Sequence, residues 1–252
     1  MTQAVAELLD RMDSHPIFST YPIYFSGGTA LSTYLDHRVS YDLDFVCTER
    51  LPVQAIKAFG FEIGARIIPD RTRATAFRIN RGENLEHFHI MFMVGEVKME
   101  FSYFDDPMIM TVLSRAEPRA YRPEASLRVL SLHDIAALKS IALFRRQKSR
   151  DLFDIAILLE EGVLDMGDLE NTYNYLNTSD KDLLEYIQGF SAAQGSTDDS
   201  TLDFLPEHRH YKAFARLGQE GRFDQCKAMF LEQFERSEAK KYEEKRREIR
   251  RG

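Results

Sequence analysis

Hydrophobic and polar positions repeat with two different periods along this chain, and the change from one to the other divides it. VAELLDRM near the start spaces its apolar residues three and four apart, which predicts an amphipathic helix. PIYF then runs apolar into SGGTA, the pattern of a short buried strand ending in a glycine turn, and TALSTYLDH predicts a helix that opens at that turn. In VSYDLDFVC, Tyr41, Leu43 and Phe45 alternate with Asp42 and Asp44. A strand's side-chain period of two sets that apolar group against a core and turns both acids to the other face. A helix is expected over 52–60, and FEIGARII, TAFRI, HFHIMFMV and VKMEFSYF read as further strands. This part of the chain is expected to be an α/β (α+β) domain built on a mixed central sheet.

From Ser131 onward the helical period takes over. Ser131-x-x-Asp134 is a capping signature ahead of IAALKSIALF, and RDLFDIAILLEEG makes a second helix that ends near Gly162. NTYNYL, KDLLEYIQGF, HYKAFARL and DQCKAMFLEQFE read as helices, with the polar loop QGSTDDST between them. The expected organisation is an α/β domain over 1–162 followed by a helical bundle domain over 163–252.

Length and composition support a folded chain: 252 residues, 44% hydrophobic and 29% charged, are enough for one large or two ordinary cores. No stretch approaches the roughly 18 apolar residues of a membrane span, and the start MTQAVAELLDRMD carries acids where a signal peptide would be apolar. A cytoplasmic protein with no membrane partner is expected. Cys47 and Cys226 stand far apart, outside any metal-binding spacing, and are expected to be reduced and structural. The net charge of −7 would argue against a nucleic-acid partner, but residues 165–207 hold ten acids and one base, so the remainder is slightly basic. Arg145, Arg146, Lys148 and Arg150 form one basic cluster and KKYEEKRREIRRG another. Each suits phosphates or, more plainly, a solvated helix face.

The candidate chemistry starts from Asp42 and Asp44, whose Cα atoms lie about 7 Å apart on one strand face. Two carboxylates so placed can share divalent cations, as phosphoryl transfer requires, or can be a solvated pair on an amphipathic strand. Gly27-Gly28 closes a strand and opens a helix, which offers backbone N–H groups and a positive helix end to an anion; alone it is also an ordinary tight turn. The two together, in this order and spacing, resemble the nucleotidyltransferase signature of the DNA polymerase beta superfamily. FSGGTALSTYLDHRVSYDLDF is similar to the first motif of the AbiEii/AbiGii family, toxins of type IV toxin–antitoxin systems related to the mycobacterial MenT toxins. VLSLHDIAALKSIALFRRQKSRDLFDIAILL resembles that family's lysine helix and its Arg-Asp-x-x-Asp helix. The resemblance covers about residues 20 to 162, and the helical tail matches only in kind.

The resemblance implies a nucleotidyltransferase fold that moves a nucleoside monophosphate from an NTP to an acceptor hydroxyl, with Mg²⁺ or Mn²⁺ as cofactor. It points to RNA, at the tRNA 3′ acceptor end, with a protein or small-molecule hydroxyl, or a catalytically inert nucleotide- or RNA-binding module of the same fold, as the alternatives, and to a cognate antitoxin encoded nearby that need not bind the toxin directly. By position it implies that Gly27, Gly28 and Thr29 hold the triphosphate, that Asp42 and Asp44 bind metal, that Lys139 contacts phosphate and that Asp151 completes the site. Arg38 and Ser40, in the stretch His-Arg-x-Ser, orient the loop, touch phosphate or simply pair at the surface. Glu100 is the candidate for the third metal carboxylate that many such enzymes take from a neighbouring strand, or an exposed strand residue. Lys139 lies on an otherwise apolar helix, where an ammonium needs an anionic partner unless its stem snorkels to water. Asp151 stands near the start of its helix, where the dipole favours any carboxylate. Asp154, one turn on, pairs with Arg150 or supports the site. The pairs His87/His89 and His208/His210 lack a third ligand at metal spacing and are assigned none.

Overall fold

Seven strands form one mixed sheet in the computed structural model, which describes residues 1–176, 180–191 and 202–251. Contacts divide the chain into two compact units, Met1–Ile135 and Ala136–Gly252.

The first unit begins with α1 (Gln3–Met12), capped by the Thr2 hydroxyl, which accepts from the Val5 N–H. After α2 (Ile17–Thr20) come β1 (Ile23–Ser26), α3 (Gly27–Leu35), β2 (Asp42–Cys47) and α4 (Val53–Glu62). Then follow β3 (Arg66–Ile67), α5 (Arg71–Arg81), a 3₁₀ turn (Leu85–His87), β4 (His89–Val94) and β5 (Val97–Tyr103). The unit continues through α6 (Pro107–Arg115), β6 (Arg119–Ala120) and β7 (Arg128–Val129). The spatial order is β3-β4-β5-β2-β1-β7-β6. β2 runs parallel to β5 and antiparallel to β1, while β1 pairs in parallel with β7.

Register decides which side chains share a face. Phe25, Phe45, Phe101 and Ile90 are successive cross-strand partners, and all four are buried. Phe45 stacks on Phe101 at 4.9 Å, while Phe18 and Phe59 close over them from α2 and α4. A Cβ on Gly60 would meet the Phe92 ring at 2.5 Å, so glycine is what lets α4 seat this close to β4. One residue along, the side chains face the opposite way. Asp42, Lys98, Met93 and Arg66 make one cross-strand row; Asp44, Glu100 and Met91 make the next.

The expected strands at PIYF, VSYDLDFVC, HFHIMFMV and VKMEFSYF are present with trimmed ends. Two others are corrected. FEIGARII shrinks to Arg66–Ile67, because Phe61 and Glu62 finish α4 and Gly64 turns the chain at φ 74°. TAFRI lies inside α5, which Asp70 caps by accepting from the Arg73 N–H and Gly82 ends at φ 68°. Five alternating residues are too few to separate strand from helix when caps stand at both ends. α6, β6 and β7 were not expected.

Ser131 and Asp134 form the expected capping pair: the Ser131 hydroxyl donates to the Asp134 carboxylate at 2.6 Å and accepts from its N–H at 3.1 Å. They open α7 (Leu132–Arg146), most of which belongs to the second unit with α8 (Ser149–Glu160), α9 (Met166–Leu176) and α10 (Leu183–Gln188). A short helix, Tyr211–Phe214, and a long C-terminal one, Gln219–Arg251, complete the described part. α8 packs along the C-terminal helix, and every residue from Asp151 to Leu158 is buried. By contacts, α8 thus groups with the helices that follow it. The QGSTDDST loop lies outside the described residues. Among those residues no helix is long and apolar enough to cross a membrane, and Cys47 and Cys226 are buried free thiols.

Candidate active site

The glycine turn and the acidic strand meet in the first unit. Ser26 ends β1 directly opposite Asp44, and Gly27 follows at φ 74°, a backbone region open to glycine but strained for other residues. A Cβ on Gly27 would stand 2.2 Å from the Asp44 carboxylate, and one on Gly28 would stand 2.4 Å from the Arg38 guanidinium. Gly27 therefore serves both the turn and the close approach of Asp44, and Gly28 makes room for the Arg38 guanidinium. Ser26 makes no side-chain capping bond to α3, so that helix presents its first N–H groups uncapped, the arrangement that receives an anion.

Thr29, Ser32, Arg38 and Ser40 are buried beneath this turn. The Thr29 hydroxyl donates to the Asp42 carbonyl and lies 2.7 Å from Ser40 Oγ, tying α3 to the start of β2. Ser32 donates to the Gly28 and Arg38 carbonyls at 3.0 and 3.2 Å, and Arg38 to the Val39 carbonyl at 3.3 Å. The hydroxyls of Thr29 and Ser40 thus brace the turn; Thr29 can serve an anion through its backbone N–H. Replacing Gly27 with Ala should push the Asp44 carboxylate aside and cost about 1–2 kcal/mol of backbone strain. We expect a transfer rate lowered by roughly 100-fold, the order that a displaced catalytic group costs, at nearly unchanged secondary structure. A transfer assay beside a melting curve on this variant checks it; full activity would show that the turn tolerates a side chain.

On the sheet face that carries Asp42 and Asp44, Lys98 lies between two carboxylates: its Nζ is 3.2 Å from Asp42 Oδ2 and 2.9 Å from Glu100 Oε1. Burial works against the Lys98 ammonium, but Glu100 and Asp42 outweigh it and raise its pKa above the ordinary lysine value. Glu100 in turn is held down at about 2 by hydrogen bonding to His89, 3.5 Å away, and to Lys98, against the opposing effect of burial. Sequence reasoning did not single out Lys98, and it weighed His89 only as a metal ligand beside His87. The signal existed for Lys98, because Lys98 and Glu100 share a face by the same period of two that exposed Asp42 and Asp44. Among the described residues no three His, Cys, Asp or Glu side chains already converge as a metal cage; the lysine sits among the acids instead. The donor set is nevertheless the right chemistry for a hard cation, since Asp42, Asp44 and Glu100 offer only carboxylate oxygens.

The second unit holds the remaining candidates. Lys139, 6% exposed, sets its Nζ 2.7 Å from Asp154 Oδ2 and 3.5 Å from Asp151 Oδ1. Arg146 grips Asp151 with two bonds, Nε to Oδ2 at 2.7 Å and Nη2 to Oδ1 at 2.9 Å. Burial disfavours the Asp151 anion, yet Lys139 and Arg146 outweigh it and hold its pKa below the usual aspartate value. The anionic partner that Lys139 requires is thus supplied by α8. Asp154 pairs with Lys139. In the basic cluster Arg145, Arg146, Lys148 and Arg150, each member already interacts with other groups.

Comparison with known proteins agrees with the motifs. Among curated proteins none matches. Among solved structures, the "putative nucleotidyltransferase from H. pylori" is similar over 95% of this chain and 98% of that one, at 17% identity and a TM-score of 0.48. A "tRNA-processing enzyme (apo form I)" is similar over 88% of this chain and 68% of that one, at 12% identity and a TM-score of 0.39. A family model described as nucleotidyl transferase AbiEii toxin, type IV toxin–antitoxin system, matches residues 8–248. With nearly the whole chain matched, and with the glycine turn, the acidic strand and the lysine helix all inside the matched span, the protein belongs to the AbiEii family of nucleotidyltransferase toxins.

Proposed function

We propose that this nucleotidyltransferase moves a nucleoside monophosphate from an NTP to a 3′ hydroxyl of RNA, at the tRNA acceptor end, and that the transfer depends on Mg²⁺ or Mn²⁺. The observation that carries the reading is the apposition of an uncapped helix N-terminus at Gly27-Gly28 with Asp42, Asp44 and Glu100 on adjacent strands. In this reading the first N–H groups of α3 receive the triphosphate, and Arg38, buried against Gly28, adds positive charge behind the turn. Asp42, Asp44 and Glu100 would hold the cation, which when bound neutralises phosphate charge and lowers the pKa of the attacking hydroxyl. Lys139 and Asp151 keep the phosphate-contacting and site-completing roles that their motif implies as part of the same proposal. The cognate antitoxin is read as a partner encoded nearby, without a required direct contact.

The test is incorporation of label from each radioactive NTP into total RNA, with and without Mg²⁺. Metal-dependent labelling of a tRNA-sized band is expected. Label appearing instead in protein or in a small molecule would reassign the acceptor, and no labelling of any acceptor would remove the transfer reading.

Lys98 adds a prediction that needs no turnover. Its ammonium occupies the oxygens a cation would use, so Lys98→Met should tighten Mn²⁺ binding. A partly exposed competing charge is worth about 1.4 kcal/mol, which corresponds to roughly tenfold. Titration of Mn²⁺ followed by electron paramagnetic resonance measures it; weaker binding in the variant would mean that Lys98 assembles the site rather than competing for it.

A further inference from the structure

α5 is an unusual element of the first unit, because none of its eleven residues is buried. Helices in proteins owe most of their stability to packing an apolar face, so one that buries nothing needs another source of order. α5 is fastened at its ends. Asp70 caps the start, and near the finish Arg81 pairs with Asp105 while lying over the rings of Phe77 and Phe88 at 5.0 Å. Between those fastenings Phe77 packs on the Phe88 ring at 4.9 Å and the other side of the helix faces solvent, with Ile79 77% exposed.

Its charge is one-sided. Residues 66–83 contain Arg66, Arg71, Arg73, Arg78 and Arg81 against Asp70 and Glu83. The acids within reach are all committed: Asp70 to the cap, Glu83 to Arg50 and Arg81, and Asp105 to Arg81. Arg66, Arg71, Arg73 and Arg78 are exposed and have no acidic partner among the described residues. In a chain of net charge −7, four such guanidinium groups make a local positive surface, the kind that concentrates a polyanion.

The sheet fixes where Arg66 stands relative to the carboxylates. Arg66 lies across β3 from Met93, Met93 from Lys98, and Lys98 from Asp42, so all four side chains share one face. Three inter-strand steps of about 4.8 Å place Arg66 roughly 14 Å from the Asp42 column. A stacked nucleic-acid strand rises about 3.4 Å per nucleotide, so Arg66 stands some four nucleotides from the Asp42 column. Guanidinium groups suit this partner, since they bind phosphate oxygens with two donors at once.

We infer that α5, together with Arg66, is the surface that binds the phosphate backbone of the acceptor RNA, with Arg66 about four nucleotides in from the end presented to Asp42 and Asp44. The inference rests on the proposed RNA acceptor. It replaces the basic cluster at 145–150, whose members are engaged elsewhere, as the phosphate-binding face.

The experiment compares the wild-type chain with Arg71→Gln/Arg73→Gln/Arg78→Gln, a set of changes that keeps helix propensity and touches no core residue. The probe is a fluorescein-labelled RNA hairpin with a four-nucleotide 3′ tail, titrated by anisotropy over a range of salt. Loss of three phosphate contacts should flatten the salt dependence by about two, and at 0.1 M salt that slope corresponds to an affinity loss on the order of 100-fold. Melting temperature and binding of Mn²⁺ with NTP should not change. Unchanged RNA affinity and slope in the variant, with wild-type protein labelling RNA, would overturn the inference while leaving the RNA acceptor in place. Weakened Mn²⁺–NTP binding would also overturn it, by giving the arginines to the nucleotide. If the wild-type chain binds the hairpin through α5 yet labels no RNA, the surface stands and the acceptor assignment fails. If it ignores RNA but binds poly-glutamate or phosphatidylglycerol vesicles through these arginines, both are wrong.

Discussion

Asp44→Asn should reduce nucleotidyl transfer by about 1,000-fold or more, equivalent to roughly 4 kcal/mol of lost transition-state stabilisation, while the protein stays folded. The side chain stands beside Gly27 at the mouth of the α3 turn and opposite Glu100 in the β2–β5 pairing. Asn keeps its size but removes the charge a hard cation requires. The fold should change little, because Asp44 is only half-buried and its neighbours already include the carboxylates of Asp42 and Glu100, whose mutual repulsion the change relieves. The assay is the single-turnover rate of label transfer in saturating Mg²⁺, with circular dichroism and a melting curve on the same preparation. A variant that transfers at the wild-type rate would remove Asp44 from the metal site.

Lys139→Met should have its large effect on stability. The ammonium is enclosed with Asp151 and Asp154, whose side chains are both 0% exposed. Met replaces the stem but takes the ammonium away from two buried carboxylates, and removing one member of a buried pair costs about 3–5 kcal/mol. A drop in melting temperature on the order of 10 °C is expected. Lys139→Met/Asp154→Leu should recover much of it, because an apolar pair of similar volume avoids the buried charge. The same cluster sets an acid limb. Asp151 has a folded pKa below its ordinary 3.8, so its contribution is fully present above that value and is lost as pH falls through the folded one. Arg146→Gln should move that limb toward higher pH, measured by urea melts at stepped pH. The transfer rate per folded molecule separates two roles for Lys139. A further 100-fold loss would add phosphate contact to its structural pairing, and an unchanged rate would leave it structural only.

The site was legible where its chemistry is local. Asp42 and Asp44 share a face because a strand has a period of two, and Gly27-Gly28 marks a turn because few other residues allow it. Ser131 and Asp134 cap a helix through bonds that span three residues. None of these depends on what packs against them, and all were found where the motif order placed them. α5 shows the limit of the same method: TAFRI alternates for five residues, yet the caps at Asp70 and Gly82 and the Arg81 anchor make it helix.

By itself, then, the sequence determined the turn, the acidic strand, the helical second part and the family motif that ties them together, since each is written in spacings of two to four residues. Only the tertiary structure decided the partners. It paired β2 with β5, which brought Lys98 and Glu100 beside the aspartates, and joined β7 to β1 across about a hundred residues. It also seated Lys139 on Asp154 rather than in open solvent. The physical reason is one of range: side-chain periodicity and capping act within a turn or two, whereas the choice of an ion-pair partner or a neighbouring strand depends on how distant segments bury their apolar faces.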